Sequence, residues 1–371
     1  MEGMGRPHRF AFGDTDELIQ EGVACCARKS LQPHVCFALR GKHFFPKRSE
    51  PQMSKRLLTA AVILLVSSHA DLAHGAEARK VAFSYSAVSM TWFPVKVALE
   101  KGFFRNEGIE PQLIQMNGNI ATVALANGHI DFSLNISPVL NGAMQGLGTK
   151  LVAALNSRPL FALVVRPEIR SPADLKGKIF AVSSFGNTQA ILTEKHLQHL
   201  GLRKGEYQLL AMGATPARSA ALEKNLAQGS LMPLPTNVQL ENRGYHLLGN
   251  TAEIVVNPIA GLGVREDKIR LERDLIKRVI RASLRSLQLL QTDPRDTLNI
   301  LMHWTGANEK DAPRSLELAQ PGFSKNGMLT DEDLAIEWGF IQQQTKKTTV
   351  PVSVAHDMTL LREAQAELGM R

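Results

Sequence analysis

The chain has 371 residues, 44% of them apolar and 21% charged, with 43 Lys and Arg against 35 Asp and Glu. That length and apolar content suit more than one packed core. The modest positive excess lacks the clustered basic stripe with aromatic partners that a nucleic-acid binder needs. All three cysteines, Cys25, Cys26 and Cys36, lie near the N-terminus, which excludes a cysteine metal cluster or a thiol nucleophile from the remainder.

Residues 1–52 mix basic, aromatic and cysteine residues without helical or strand spacing, as expected of a leader created by a start codon assigned too far upstream. From Met53 the pattern changes. Lys55 and Arg56 form a short basic region, Leu57 to Val66 an apolar run, and small residues follow to Ala76 and Ala78. The run is too short to anchor a chain in a bilayer, and the small-residue exit suits a cleaved export signal over residues 53–78. No cysteine follows to carry a lipid, so the expected destination is the periplasm, free of the membrane.

Beyond the signal, strand and helix patterns alternate. KVAFSYS leads into a helix from Pro94, EPQLIQM into one from about Asn119, and DFSLN into one after Pro138; KLVAAL closes the series. Alternation of this kind predicts an α/β fold with a mainly parallel sheet covered on both faces. PLFALVVRP, bracketed by prolines, is the expected first crossing strand. SPADLKGKIFAVSS then opens a second series, including a helix over TQAILTEKHLQHLG that Gly201 closes. NPIAGLGVRED reads as the second crossing, and the chain is helical in period from Asp274, punctuated by Pro294, Pro313 and Pro321. The expected lobes are residues 79–166 with 257–371, and residues 167–256. On the helix DLIKRVIRASLRSLQLLQ, Ile276, Val279, Ile280, Leu284 and Leu287 share an apolar face, leaving Lys277, Arg281 and Arg285 as a solvated one.

In open α/β sheets, ligands sit where strands end and helix N-termini offer unpaired N–H groups. Four corners qualify: Ser84 to Trp92, Asn117 to Thr122, Asn135 to Ser137, and Ser183 to Thr188. They supply Ser86, Trp92, Gly118, Asn119, Asn135, Ser137, Ser183, Ser184, Gly186, Asn187 and Thr188 as candidate ligand-binding residues, with Ser89 and Thr91 beside Trp92. Hydroxyls, amides, glycines and one indole suit a small polar ligand held by backbone and side-chain donors. The same residue types also cap helices and form turns, so each has a purely structural alternative. Catalytic signatures such as G-x-S-x-G, H-E-x-x-H and a phosphate loop are missing from the sequence. His196 and His199 share a helical face without a third ligand, which favours a solvent-facing pair; no metal and no cofactor are expected.

Three segments carry a family resemblance: TWFPVKVALEKGFFRNEGIE (91–110), ALANGHIDFSLN (124–135) and SPADLKGKIFAVSSFGNT (171–188). Together they resemble the substrate-binding proteins of ABC importers in the nitrate, sulfonate, taurine and thiamine-pyrimidine class, over nearly all of residues 80–345. The resemblance implies a type II periplasmic binding fold, two α/β lobes joined by two crossing strands and closing on a hinge. It also implies a monomeric binding protein, not an enzyme, that captures a small polar or anionic solute and delivers it to an ABC permease in the inner membrane. The second lobe departs from the family's ALxxGxxDA pattern at ALEKNLAQGSLMPLPTNV, leaving Pro235, Thr236 and Asn237 as weaker candidates. Arg158 is the one arginine near the expected cleft. An enzyme on the same fold and a ligand-sensing module remain as alternatives.

Overall fold

Period-two alternation puts Val81 and Phe83 of β1 (Arg79–Tyr85) into the core of a first lobe, where the Phe83 ring lies 5.1 Å from Phe132 and 5.6 Å from Phe104. The structure is a computed structural model that describes residues 77–370; the expected leader and nearly all of the expected export signal lie outside these. Beside β1 run β2 (Ile109–Gln115) and β3 (Phe132–Asn135), both parallel to it. β4 (Thr149–Ala154) forms the far edge. The next five strands build a second sheet: β5 (Phe161–Val165), β6 (Ile179–Val182), β7 (Gln208–Ala211), β8 (Gly229–Pro233) and β9 (His246–Asn250). β10 (Ala260–Arg265) then returns to the first sheet and inserts, antiparallel, between β3 and β4.

The two sheets have matching orders, β2-β1-β3-β10-β4 and β7-β6-β8-β5-β9. In each, the fourth strand runs against the others, because it is the strand by which the chain has just arrived from the other lobe. The expected first boundary, after residue 166, falls too late. β5 pairs along its whole length with β8 and also with β9, so the crossing is complete by Phe161. At the return crossing, the β10 backbone runs so close to the helix Ile136–Gln145 that a Cβ on Gly263 would lie 2.1 Å from Val139. Only a glycine fits there.

The helices after β10 pack onto the first lobe. The helix Arg273–Thr292 buries the expected apolar stripe, Ile276, Val279, Ile280, Leu284 and Leu287. Its basic side chains are not a free solvated face, as the sequence pattern suggested. Lys277 pairs with Glu367 at 2.7 Å, Arg285 with Glu107 at 2.6 Å, and Arg281 with both Glu107 and Glu367. The two pairs to Glu367 seat the last helix, Thr359–Glu367, against the helix Arg273–Thr292, and those to Glu107 tie in the end of the helix Phe103–Asn106. Among the described residues, no helix is long and apolar enough to cross a membrane.

Candidate functional site

The C-terminal ends of β1 and β3 in one lobe and of β6 and β8 in the other face the line along which the lobes meet. There the Met90 N–H donates to the Leu234 carbonyl across the gap, at 3.0 Å. The segment after Leu234 completes the contact: Leu234 and Val238 join the first lobe's core, and Asn242 donates to Asp311 at 2.6 Å. Of the weaker candidates nearby, Asn237 spends its amide oxygen on the Val238 N–H. The Pro235-Thr236 pair begins the helix Thr236–Glu241.

At the corner after β6 the polar groups serve the protein itself. Asn187 caps the helix Thr188–His199 by accepting from the Ala190 N–H at 2.9 Å, and it donates to Ser183 Oγ. The Ser183 N–H donates to Gln189 at 2.9 Å. Ser184 is exposed, as are Ser86 and Asn119. Gly186 takes the left-handed turn expected of it, at φ +75°, where a Cβ would lie 2.6 Å from Gln344 and 3.6 Å from Phe340. Gly118 begins the helix Gly118–Ala126, which is capped by Asn117 rather than by a candidate residue. At the first corner the Ser89 hydroxyl caps a short turn by accepting from the buried Thr91, and its carbonyl accepts from Trp304.

A second group of polar atoms has no partner. Trp92 is 4% exposed, inside the core rather than at a mouth, and its buried Nε1 donates to nothing. Asn135 stands at the N-cap of the helix Ile136–Gln145, yet its side chain does not cap, and its Oδ1 is buried and unbonded. Asn156 accepts from Ile259 and Ala260, both at 2.9 Å, which leaves Nδ2 unpaired. Asn257 is 1% exposed, with Oδ1 unpaired and Nδ2 turned to the Glu337 carboxyl. Burying such groups costs free energy unless something else bonds them. Backbone pairing gathers the three asparagines at one place: Asn135 is opposite Ala260, and the Ile136 N–H donates to Ile259, two residues from Asn257. Asn156 and Asn257 lie on the two crossings, in L-N-S-R-P and V-N-P-I; a polar residue at a proline-flanked crossing was the available sequence signal.

The same place holds a carboxyl that the sequence reading missed. Glu337 lies in the helix Asp331–Thr345 and is buried. Thr188 donates to its Oε1 at 2.8 Å from the second lobe, while Ser137 and Asn257 face it from the first lobe and the crossing. Burial pushes this carboxyl above the usual carboxylate range, and the three neighbouring side chains oppose that only in part. Leu334, Trp338 and Ile341 of its helix enter the first lobe's core, whereas Ile336 packs on the second lobe's core. With Phe340 and Gln344 against Gly186 as well, the helix touches both lobes. A helix apolar on more than one face is buried on more than one face, and that was the legible sign in DLAIEWGFI.

Elsewhere the chemistry is quieter. Arg158 donates to the Ala252 carbonyl at 2.6 Å, tying the crossings together instead of facing the lobe junction. The expected solvent-facing histidine pair is half wrong: His199 is exposed, but His196 is fully buried, bonded to Leu248 at 2.7 Å and Thr251 at 3.3 Å, and burial pushes its imidazole down. Among the described residues, no cluster of three His, Cys, Asp or Glu side chains could hold a metal. A cavity of about 790 Å³ opens beside Lys150, Arg265 and Arg273, away from the lobe junction. Three of its basic groups, Lys150, Arg265 and Arg273, pair with Glu266, Asp267 and Glu363.

Residues 90–297 match the model of the family described as NMT1/THI5 like. The fold matches that of a ligand-binding component of an ABC-type import system from Staphylococcus aureus (14% identity, 77% of this chain and 99% of that one, TM-score 0.65). It also matches the sulfonate-binding protein SsuA from Methylobacillus flagellatus (18%, 80% and 96%, 0.62) and the nitrate-binding protein NrtA from Synechocystis (15%, 79% and 89%, 0.60). Both of the latter are periplasmic. At these identities the shared property is the fold, a two-lobed periplasmic binding protein fold. No curated protein matches the chain in sequence.

Proposed function

The chain belongs to the NMT1/THI5-like family, and from that premise we propose that it is the solute-binding component of an ABC importer. It works in the periplasm as a monomer, closing its lobes over a small polar solute and presenting it to an inner-membrane permease. One observation carries the reading: unpaired polar atoms of Asn135, Asn156 and Asn257, and the carboxyl of Glu337, converge on the junction of two lobes and both crossings. These groups belong to the first lobe and the crossings, and Thr188 of the second lobe meets them at Glu337, so a ligand bonding them there bears directly on lobe closure. Proteins of this fold named for sulfonate and nitrate binding support the general role.

The role is tested by thermal unfolding of the purified protein against a panel of nitrate, sulfonates, aromatic carboxylates, pyrimidines, amides and amines. A ligand at about a hundred times its dissociation constant stabilises the protein by roughly 2.7 kcal/mol, and the expected result is a hit that is recovered chemically unchanged. A second reading, an enzyme on the same fold, is favoured by Glu337, since burial makes this carboxyl hold a proton more tightly than a free one, as a general acid or base requires. Conversion of the hit to a new compound would replace the transport reading with this one.

A further inference from the structure

Resting on the binding-protein reading, we infer that Glu337 is the cargo-recognising carboxyl of the lobe junction, and that the cargo is an uncharged or cationic solute carrying N–H or O–H donors rather than an oxyanion. The unpartnered atoms form a mixed set. Asn156 Nδ2 can only donate, whereas Asn135 Oδ1 and Asn257 Oδ1 can only accept, the Asn257 Nδ2 being turned to Glu337. Nitrate or a sulfonate group offers acceptors alone. It would satisfy the one donor and leave the two acceptors buried and unbonded, at the cost that any orphaned buried acceptor carries.

Charge points the same way. Glu337 takes the place an anion would take: it receives the Thr188 hydroxyl at the first turn of the helix Thr188–His199, and it is faced by Ser137 at the first turn of the helix Ile136–Gln145. Helix N-termini favour a negative group. Here the chain supplies that group itself. When the carboxyl is ionised, a second anion beside it is repelled strongly, since little water screens the pair. An amide, amidine or amine instead donates to the carboxyl while its remaining atoms complete the asparagine set.

Four small probes separate the possibilities: acetamide and acetamidinium, which carry donors, and nitrate and methanesulfonate, which carry acceptors only. Each is titrated against the wild-type protein at constant ionic strength with chloride as the reference, following unfolding temperature and tryptophan fluorescence. The expected result is a response to the donor-bearing pair and none to the anions beyond chloride. In Glu337→Gln, which keeps an acceptor for Thr188, acetamidinium should bind roughly tenfold to a hundredfold more weakly. A wild-type response to methanesulfonate or nitrate alone would overturn the inference while leaving the binding-protein reading intact. Silence to all four probes and to the wider panel would sink both. The wild-type comparison decides even if the variant fails to fold.

Discussion

Two asparagines stand at a helix N-cap, one in each lobe, and lead different lives. Asn187, at the N-cap of the second lobe's helix, accepts from Ala190 and donates to Ser183. Asn135, at the N-cap of the first lobe's helix, caps nothing and keeps a buried, unbonded oxygen. One has its hydrogen bonds completed by the fold. The other keeps an acceptor that the fold does not use, and an asparagine left in that state is the better sign of a ligand. Capping and ligand binding call for the same residue types at the same positions, so the contrast lies in the partners rather than in the sequence.

The largest expected effect breaks the contrast from the side of packing. Trp92 carries an unsatisfied donor but is also part of the first lobe's core, so Trp92→Ala should cost about 3–5 kcal/mol of stability. Trp92→Phe should keep most of that while losing the indole N–H, and denaturant unfolding of the two variants separates body from donor. Next is Glu337, whose neighbours Thr188, Ser137 and Asn257 do not titrate. Its folded pKa lies above the unfolded value near 4.5, so the folded state holds the proton more tightly between the two. Its contribution is therefore intact below that unfolded value and is lost as pH rises through the folded one. The stability difference between wild type and Glu337→Gln should fall with increasing pH across that window, and a flat difference would mean that the carboxyl is not desolvated. The smallest effects sharpen the asparagine pair itself. Asn187→Ala should cost about 1 kcal/mol through the lost cap, while Asn135→Ala should leave stability unchanged or slightly raised and weaken ligand binding.

Most of the architecture was legible because it rests on local signals. Strand alternation in KVAFSY, Pro94 at the first turn of its helix, and the glycine at position 186 each specify their conformation within a few residues. The junction is another matter. Ser183, Asn187 and Ser89 have the composition of a binding corner, yet their groups are taken by Gln189, Ala190 and Thr91. Asn156, Asn257 and Glu337 come from three distant stretches that meet only when both sheets are built. The basic stripe of Lys277, Arg281 and Arg285 was misread for the same reason, since its acidic partners lie 86 to 178 residues away in sequence. Composition tells which groups exist; only the tertiary fold tells which remain free.

The insertion of β10 between β3 and β4 also sets a timetable. The second sheet has all five of its strands once residue 250 has been made, whereas β3 and β4 of the first must wait for residues 260–265 to lie between them. A chain that emerges N-terminus first therefore completes the sheet of its second lobe before that of its first, and domains fold as units when their residues are available. The lobe that comes first among the described residues is the last to close its sheet, and its strands β3 and β4 stand with open edges in the meantime.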